Sequence, residues 1–163
     1  MAVKSLKVCA TGSVANVSCG FDCIGYAIAK PADTLTIKTK DSPGVDITLS
    51  GSKADTIPAA AKYNTAGKAI LSLLNSLGID QGFNVHIEKG VPPSSGLGSS
   101  AASAAAAVVG VNELLGNPLK LEELLVHGMA GEAVASGEFH ADNIAPALFG
   151  GIILIRSYDP LDI

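Results

Sequence analysis

The sequence is poor in aromatic residues: it has no tryptophan, and Phe and Tyr together make up only 4% of its 163 residues. Its hydrophobic fraction is nevertheless 48%, so any core must be built mainly from Ala, Val, Ile and Leu side chains. A chain of this length can bury a sizeable core as a single domain, and it can equally form one half of a larger protein.

Basic residues are also scarce, because 11 Lys and Arg stand against 15 Asp and Glu and give a net charge of −4. A protein whose main partner is nucleic acid needs a basic face, so this charge balance argues against a nucleic-acid partner. A small anionic ligand is still compatible with it, since the N-terminus of a helix supplies local positive potential.

Cysteines and long apolar runs are few. The three cysteines are Cys9, Cys19 and Cys23, an odd number in a chain without a secretory signal, which favours reduced thiols and a cytoplasmic location. No further zinc ligands lie nearby at a suitable spacing. The longest apolar stretch, residues 101–111, is too short to span a bilayer, so we expect no membrane association.

The order of apolar patterns indicates an α+β domain of layered sheet and helices. A turn signal at residues 41–44 separates two alternating segments, which indicates a hairpin between them. Strands followed by mixed helices and strands are typical of α+β architecture. The pattern predicts strands over 6–10, 24–29, 35–39, 45–50, 83–88 and 152–155, and helices over 60–77, 99–115 and 121–135.

The most informative segment is residues 91–102, which read VPPSSGLGSSAA. Gly96 and Gly98 permit unusual backbone dihedrals, and Ser99 and Ser100 lie where a helix begins with its N–H groups unpaired. Such a helix start can hold a phosphate. The segment is not a common P-loop, because no Gly-Lys-Ser/Thr follows the glycines and no lysine lies inside it. The alternative is an ordinary loop in which a serine caps the helix.

Three separated segments together resemble the GHMP kinase superfamily, and within it the homoserine kinases. Residues 10–22 (ATGSVANVSCGFD) resemble the substrate loop, and residues 91–102 fit the phosphate-loop pattern. Residues 140–151 (HADNIAPALFGG) resemble the segment that separates homoserine kinases from mevalonate or galactose kinases. The resemblance implies that residues 1–163 form a GHMP kinase N-terminal domain, like domain 2 of ribosomal protein S5, and that the C-terminal domain is absent from this chain.

The resemblance also implies a site for ATP and Mg²⁺. Ser99 or Ser100, which the sequence does not distinguish, and Glu132 would hold Mg²⁺. An exposed helical glutamate is the ordinary alternative for Glu132, although a carboxylate among small residues suits a hard cation. The residues that would bind ATP are Asn64, Val91, Pro92, Pro93, Ser94, Ser95, Gly96, Leu97, Gly98, Ser99, Ser100 and Ala101.

The small-molecule substrate implied by the resemblance is L-homoserine, bound by Asn16, Asp22, His140, Asp142 and Asn143. Asn and Asp are also common turn residues, and a His beside an Asp can be a simple loop pair. The implied reaction is ATP-dependent formation of O-phospho-L-homoserine on the route to threonine, without an assigned catalytic base.

We expect a homodimer for the full-length enzyme and weak or no activity from residues 1–163 alone. Two alternatives remain open at this point. One is another small-molecule kinase of the superfamily, such as a mevalonate-type kinase. The other is a nucleotide-binding module of the same fold without turnover.

Overall fold

The structure, a computed structural model, describes residues 4–163 and confirms the mixed α+β class. Within these residues, none of the helices is both long and apolar enough to cross a membrane. The elements in chain order are β1 (Ser5–Val17), β2 (Gly20–Lys40), β3 (Val45–Gly51), α1 (Thr65–Leu77), β4 (Gly82–Lys89), α2 (Ser99–Leu114), α3 (Leu121–Ser136), α4 (Ile144–Phe149), β5 (Ile152–Leu154), β6 (Ser157–Tyr158) and β7 (Leu161–Asp162).

The main sheet has the strand order β1-β2-β4-β3, and β5 pairs with β2 beside this path. β4 lies between β2 and β3, antiparallel to β2 and parallel to β3. The predicted hairpin between residues 35–39 and 45–50 is therefore wrong. The short turn at 41–44 is compatible with a hairpin, but β4 inserts between the two strands and pairs its backbone with both of them.

The first two strands are longer than the sequence pattern predicts. The predicted break after residue 10 is wrong, because β1 continues to Val17 and pairs with one continuous β2. The register between the two strands shifts between Thr11 and Ser13 and again between Ala15 and Val17. Such irregularities bend a strand without ending it, so the polar break in the sequence becomes a bulged part of the ladder.

The first long helix begins later than predicted. Residues 61–63 form a single 3-10 turn, and α1 starts only at Thr65. Asn64 caps the helix, because its side-chain Oδ1 accepts a hydrogen bond from Gly67 N at 3.2 Å. Capping by Asn satisfies one of the free N–H groups of the first turn and so fixes the helix start. The predicted end at Gly78 is confirmed, with φ 64° in the left-handed region.

The core lies between one face of the sheet and the helices; among the residues that the structure describes, Phe83 is its buried aromatic side chain, and Phe149 packs against it while partly exposed. On β4 every second side chain is buried, as the alternating pattern predicts. α2 packs against β1 and β2, and α1 and α3 pack against α2. The Ala-rich surface of α2 permits close packing: a Cβ at Gly110 would lie 2.6 Å from Ile37 Cδ1. This packing fixes the N-terminus of α2 at one end of the domain.

Candidate functional site

A cleft of about 660 Å³ opens at the N-terminus of α2. Its apolar wall includes Leu49, Ile57, Pro58 and Ile87. Its polar lining includes the loop that precedes α2, together with Glu132 from α3. The residues of the sequence-predicted phosphate loop that line the cleft are Pro93, Ser94, Ser95, Gly96, Gly98, Ser99 and Ser100.

The other predicted loop residues support the cleft rather than face it. Val91 and Ala101 are fully buried at the two ends of the loop. Pro92 and Leu97 are half-buried, and neither is part of the cleft wall among the residues that the structure describes. The loop therefore presents its serines, its glycines and Pro93 to the cleft, whereas its other apolar residues do not line it.

The loop backbone is left-handed at three positions, with φ of 60° at Ser94, 74° at Gly96 and 60° at Gly98. Gly98 is the N-cap residue of α2 and packs closely against two neighbouring elements. A Cβ on Gly98 would lie 2.2 Å from Ser13 Oγ and 2.8 Å from Asn143 Oδ1. Both the dihedrals and the space at this position therefore require glycine.

One contact attaches the loop to the first strand, because Ser13 N donates a hydrogen bond to Leu97 O at 3.1 Å. The Ser13 side chain connects the strand to the residue before α4, since Ser13 Oγ donates to Asn143 Oδ1 at 2.9 Å. Another contact closes the loop on itself, because Ser99 Oγ donates to Val91 O at 2.7 Å. The Ser99 hydroxyl thus holds the two ends of the loop together.

Ser100 has a different partner. Its Oγ donates a hydrogen bond to Glu132 Oε1 at 2.8 Å. Glu132 is 9% exposed, and among residues 4–163 its Oε2 is the buried side-chain oxygen that lacks a hydrogen-bond partner. Burial raises the pKa of the Glu132 carboxyl, although the Ser100 hydrogen bond opposes this rise. A buried carboxylate with an unpaired oxygen is costly unless a cation or donor completes it.

This arrangement fits Mg²⁺. The ion prefers oxygen ligands, keeps several waters and is commonly held by one or two carboxylates together with substrate phosphates. Glu132 and the Ser100 hydroxyl supply such oxygens beside the phosphate loop. Within residues 4–163 no group of three His, Cys, Asp or Glu side chains could enclose a metal by itself, so remaining ligands would have to come from phosphate and water.

The buried Glu132 carboxyl predicts a pH-dependent stability in the absence of metal. Because its pKa is raised, the folded protein holds this proton at pH values where the unfolded chain has released it. The stability therefore falls as pH rises from the usual Glu range through the raised pKa. We expect Glu132→Gln to raise Tm at neutral and alkaline pH and to leave it nearly unchanged at acid pH, in thermal unfolding followed by circular dichroism. Equal Tm values for the two proteins at every pH would contradict this assignment.

Asn64 lies in the wall of the cleft, but its amide group is engaged within the protein. In addition to capping α1, its Nδ2 donates a hydrogen bond to Pro58 O at 2.8 Å. The side chain is 2% exposed. Asn64 thus shapes the apolar side of the cleft, and its contact with a nucleotide base or ribose stays a prediction.

A second cavity, of about 680 Å³, contains two of the sequence-predicted substrate residues, Asp22 and His140. His140 Nδ1 lies 3.7 Å from Asp22 Oδ1, and His140 Nε2 lies 3.0 Å from Glu138 Oε2. Tyr158 OH donates a hydrogen bond to the Asp22 carbonyl oxygen at 2.9 Å. The apolar part of this cavity is formed by Val126, Met129, Phe139 and Leu161.

The remaining predicted substrate residues hold their neighbours in place. Asn16 Oδ1 accepts a hydrogen bond from Asp22 N at 2.9 Å, and both residues have positive φ, 58° and 57°. Asp142 is 4% exposed, and its carboxylate accepts a hydrogen bond from Asn143 N at 2.9 Å. Asn143 lines the first cleft. Because Asn143 lines this cleft and is hydrogen-bonded to Asp142, the two predicted sites adjoin at this segment.

Sequence reasoning missed a buried ion pair beneath the loop, formed by Lys89 and Asp33. A signal was present in the register of the strands. On β4, Lys89 continues the inward-facing positions of Phe83, Val85 and Ile87, where an apolar residue is expected. On β2, Asp33 precedes the buried Leu35 in the same way. Two opposite charges at inward positions of neighbouring strands indicate a buried pair.

Residues 64–151, more than half of the chain, match the family described as GHMP kinases N terminal domain, and the chain belongs to this family. The chain is 45% identical over 161 residues to a homoserine kinase of Methanococcus vannielii, covering 99% of this chain and 53% of that protein. The predicted likeness to homoserine kinases is confirmed.

The solved structures agree with this assignment. A crystal structure of homoserine kinase from Cytophaga hutchinsonii has a TM-score of 0.92 at 48% identity, covering 97% of this chain and 50% of that chain. The mevalonate kinase of Methanococcus jannaschii has a TM-score of 0.69 at 19% identity, covers 91% of this chain and 52% of that chain, and shares the fold alone. The expected S5-like fold is confirmed. The chain spans about half the length of the curated relatives it matches.

Proposed function

We propose that this chain binds ATP and Mg²⁺ in the cleft at the N-terminus of α2, as part of an enzyme that phosphorylates L-homoserine on its hydroxyl group. The observation that carries the proposal is the buried Ser100–Glu132 pair, whose free carboxylate oxygen lies beside the phosphate loop. The identity of 45% to a homoserine kinase over nearly the whole chain supports the choice of substrate.

Phosphoryl transfer depends mainly on positioning and charge neutralisation, and it needs little covalent chemistry from the protein. The backbone N–H groups of the loop and the positive end of α2 bind the ATP phosphates. Ser100 and Glu132 hold Mg²⁺, which when bound neutralises phosphate charge. Ser99 maintains the loop through Val91, so we assign the metal to Ser100 rather than Ser99.

The substrate lies next to this site in the proposal. The Asp22 carboxylate pairs with the ammonium group of homoserine, and His140 lies beside Asp22 to orient the amino acid. Asn143 connects the substrate side to the phosphate loop through Ser13. Asn16 and Asp142 keep Asp22 and Asn143 in place, and no residue of the chain is assigned as a catalytic base.

The runner-up is a mevalonate-type kinase, which the fold alone would permit. Residues 140–151 and the higher identity to homoserine kinases favour the amino acid substrate. We also propose that the enzyme is cytoplasmic and that its full-length form is a homodimer. Residues 1–163 alone would then have weak or no activity.

The test is ADP release by the full-length gene product with a panel of alcohols. Turnover with L-homoserine and none with mevalonate is the expected result. Turnover with mevalonate alone would overturn the choice of substrate. No ATP binding and no turnover with any alcohol would overturn the nucleotide site as well.

We expect Asp22→Asn to raise the KM for homoserine by about tenfold to a hundredfold, the range for losing a hydrogen bond to a charged group. The KM for ATP should change little, because Asp22 lies in the second cavity. Steady-state kinetics with each substrate varied in turn measures both values. Asp41→Asn, an exposed aspartate in the turn after β2, is the matched control and should leave both values unchanged. An unchanged homoserine KM in Asp22→Asn would exclude the ammonium contact.

A further inference from the structure

We propose that Lys89 and Asp33 are positioning residues of the phosphate loop: their buried ion pair holds the two ends of the loop at the spacing that ATP phosphates require. The inference rests on the proposed function, because it concerns the same cleft. Both charged residues lie outside the loop, so the loop sequence alone does not indicate their role.

Asp33 fixes the start of the loop. Its Oδ1 accepts hydrogen bonds from Gly90 N at 3.1 Å and from Val91 N at 2.9 Å. Its Oδ2 accepts from the Lys89 ammonium and from Ser103 Oγ, the latter at 2.6 Å. Each carboxylate oxygen therefore accepts two hydrogen bonds, and the side chain is fully buried. The N–H groups of Gly90, just before the loop, and of Val91, its first residue, are consequently turned towards Asp33.

Lys89 fixes the end of the loop. Its Nζ donates hydrogen bonds to Ser99 O at 2.8 Å and to Ser103 Oγ at 2.9 Å, in addition to pairing with Asp33. All three donors of the ammonium are thus engaged, and the side chain is 3% exposed. Ser99 and Ser103 belong to the first turns of α2. The ammonium therefore connects the end of β4 to the first turns of α2, where the ATP phosphates bind in this proposal.

A buried ion pair is by itself weak evidence for a stabilising role, because the cost of desolvating the two charges offsets their attraction. Two apolar side chains of similar volume often stabilise the fold equally well. The placement of this pair suggests a different use. Its remaining hydrogen bonds end on Gly90, Val91, Ser99 and Ser103, which lie at the two ends of the loop, and none of them uses the hydroxyl of Ser99 or Ser100. Backbone N–H donors that are already aligned before ATP arrives need not reorganise when they bind its charged phosphates.

The test compares Lys89→Met, Asp33→Asn and the double variant with the unaltered chain. Each single variant leaves one buried charge unpaired, so we expect both to unfold at lower temperature and to bind ATP with Mg²⁺ at least about tenfold more weakly. The double variant removes both charges, and the amide oxygen introduced by Asp33→Asn can still accept from the loop N–H groups. We expect its Tm to recover towards that of the unaltered chain while its ATP affinity stays about tenfold weaker.

Leu73→Ala is the control for a general loss of stability, because Leu73 is fully buried in α1 and is not part of the cleft wall among the described residues. Its Tm should fall, and its folded form should bind ATP as the unaltered chain does. Thermal unfolding and calorimetric titration with ATP and Mg²⁺, at a temperature where every variant is folded, provide the two readouts.

Recovery of both Tm and ATP affinity in the double variant would show a merely structural pair and overturn the inference. Equal weakening of binding by Leu73→Ala would do the same. If the unaltered chain binds no ATP, the proposed function fails, and the inference with it.

Discussion

Replacing Gly98 with alanine is expected to weaken the binding of ATP with Mg²⁺ by about a hundredfold, since left-handed strain costs about 1–2 kcal/mol and overpacking about 1–3 kcal/mol. The new methyl group would lie 2.2 Å from Ser13 Oγ and 2.8 Å from Asn143 Oδ1. These two oxygens are hydrogen-bonded to each other, so either this contact or the loop must shift, and the left-handed dihedrals disfavour alanine in either case. Calorimetric titration of the chain with ATP in excess Mg²⁺ measures the loss.

Gly78 provides a closely matched control. Its dihedrals, φ 64° and ψ 30°, are nearly those of Gly98, φ 60° and ψ 39°, but it caps the far end of α1. Among the residues that the structure describes, no atom lies within 4 Å of a Cβ built at Gly78. Gly78→Ala should therefore lower stability through backbone strain and leave ATP affinity unchanged. ATP affinity within a few-fold of the unaltered value in Gly98→Ala would contradict the loop geometry described above.

Replacing Glu132 with glutamine is expected to reduce kcat of the full-length gene product by about 10²–10³-fold, the range for removing one group that stabilises transition-state charge. Within residues 4–163, Glu132 Oε2 is the buried side-chain oxygen without a hydrogen-bond partner, and an amide group in its place is a much poorer cation ligand than a carboxylate. The measurement is the initial rate of ADP release at increasing Mg²⁺ concentration, with saturating homoserine.

Two further variants separate the metal role from a general effect. Glu122→Gln changes an exposed glutamate on the same helix and should leave kcat unchanged. Ser100→Ala should shift the Mg²⁺ dependence to higher concentration, whereas Ser99→Ala should mainly lower stability through the loop contact to Val91. An unchanged Mg²⁺ dependence in Glu132→Gln would remove Glu132 from the metal site.

The loop before α2 could be predicted from local sequence because its features are local. Gly98 and the serines after it lie within a few residues of each other, and a helix start has the same physical properties in any fold. The distinction between Ser99 and Ser100 is not local. It depends on α3, which brings Glu132 beside Ser100 from 32 residues away along the chain. A sequence pattern that covers only the loop contains no such information.

Two other features escaped prediction for related reasons. The turn at residues 41–44 suggested a hairpin, but strand order depends on where β4 returns after α1, and only the packed sheet decides that. Lys89 precedes the loop by two residues, yet it is buried through its pairing with Asp33, 56 residues earlier. Viewed alone, Lys89 is the last residue of β4 and Asp33 is one of the polar residues of β2, and neither charge by itself indicates burial. Their shared inward register becomes informative only when β2 and β4 are known to be neighbours.

The most direct test of the central claim is the affinity of the chain for ATP, measured by titration calorimetry with and without Mg²⁺, in the unaltered protein and in Glu132→Gln. We predict that Mg²⁺ tightens binding by at least about tenfold in the unaltered chain, equivalent to about 1.4 kcal/mol, and that Glu132→Gln loses this gain. Equal ATP affinity with and without Mg²⁺ in the unaltered chain, or an equal gain in both proteins, would contradict the assignment of Ser100 and Glu132 to the metal.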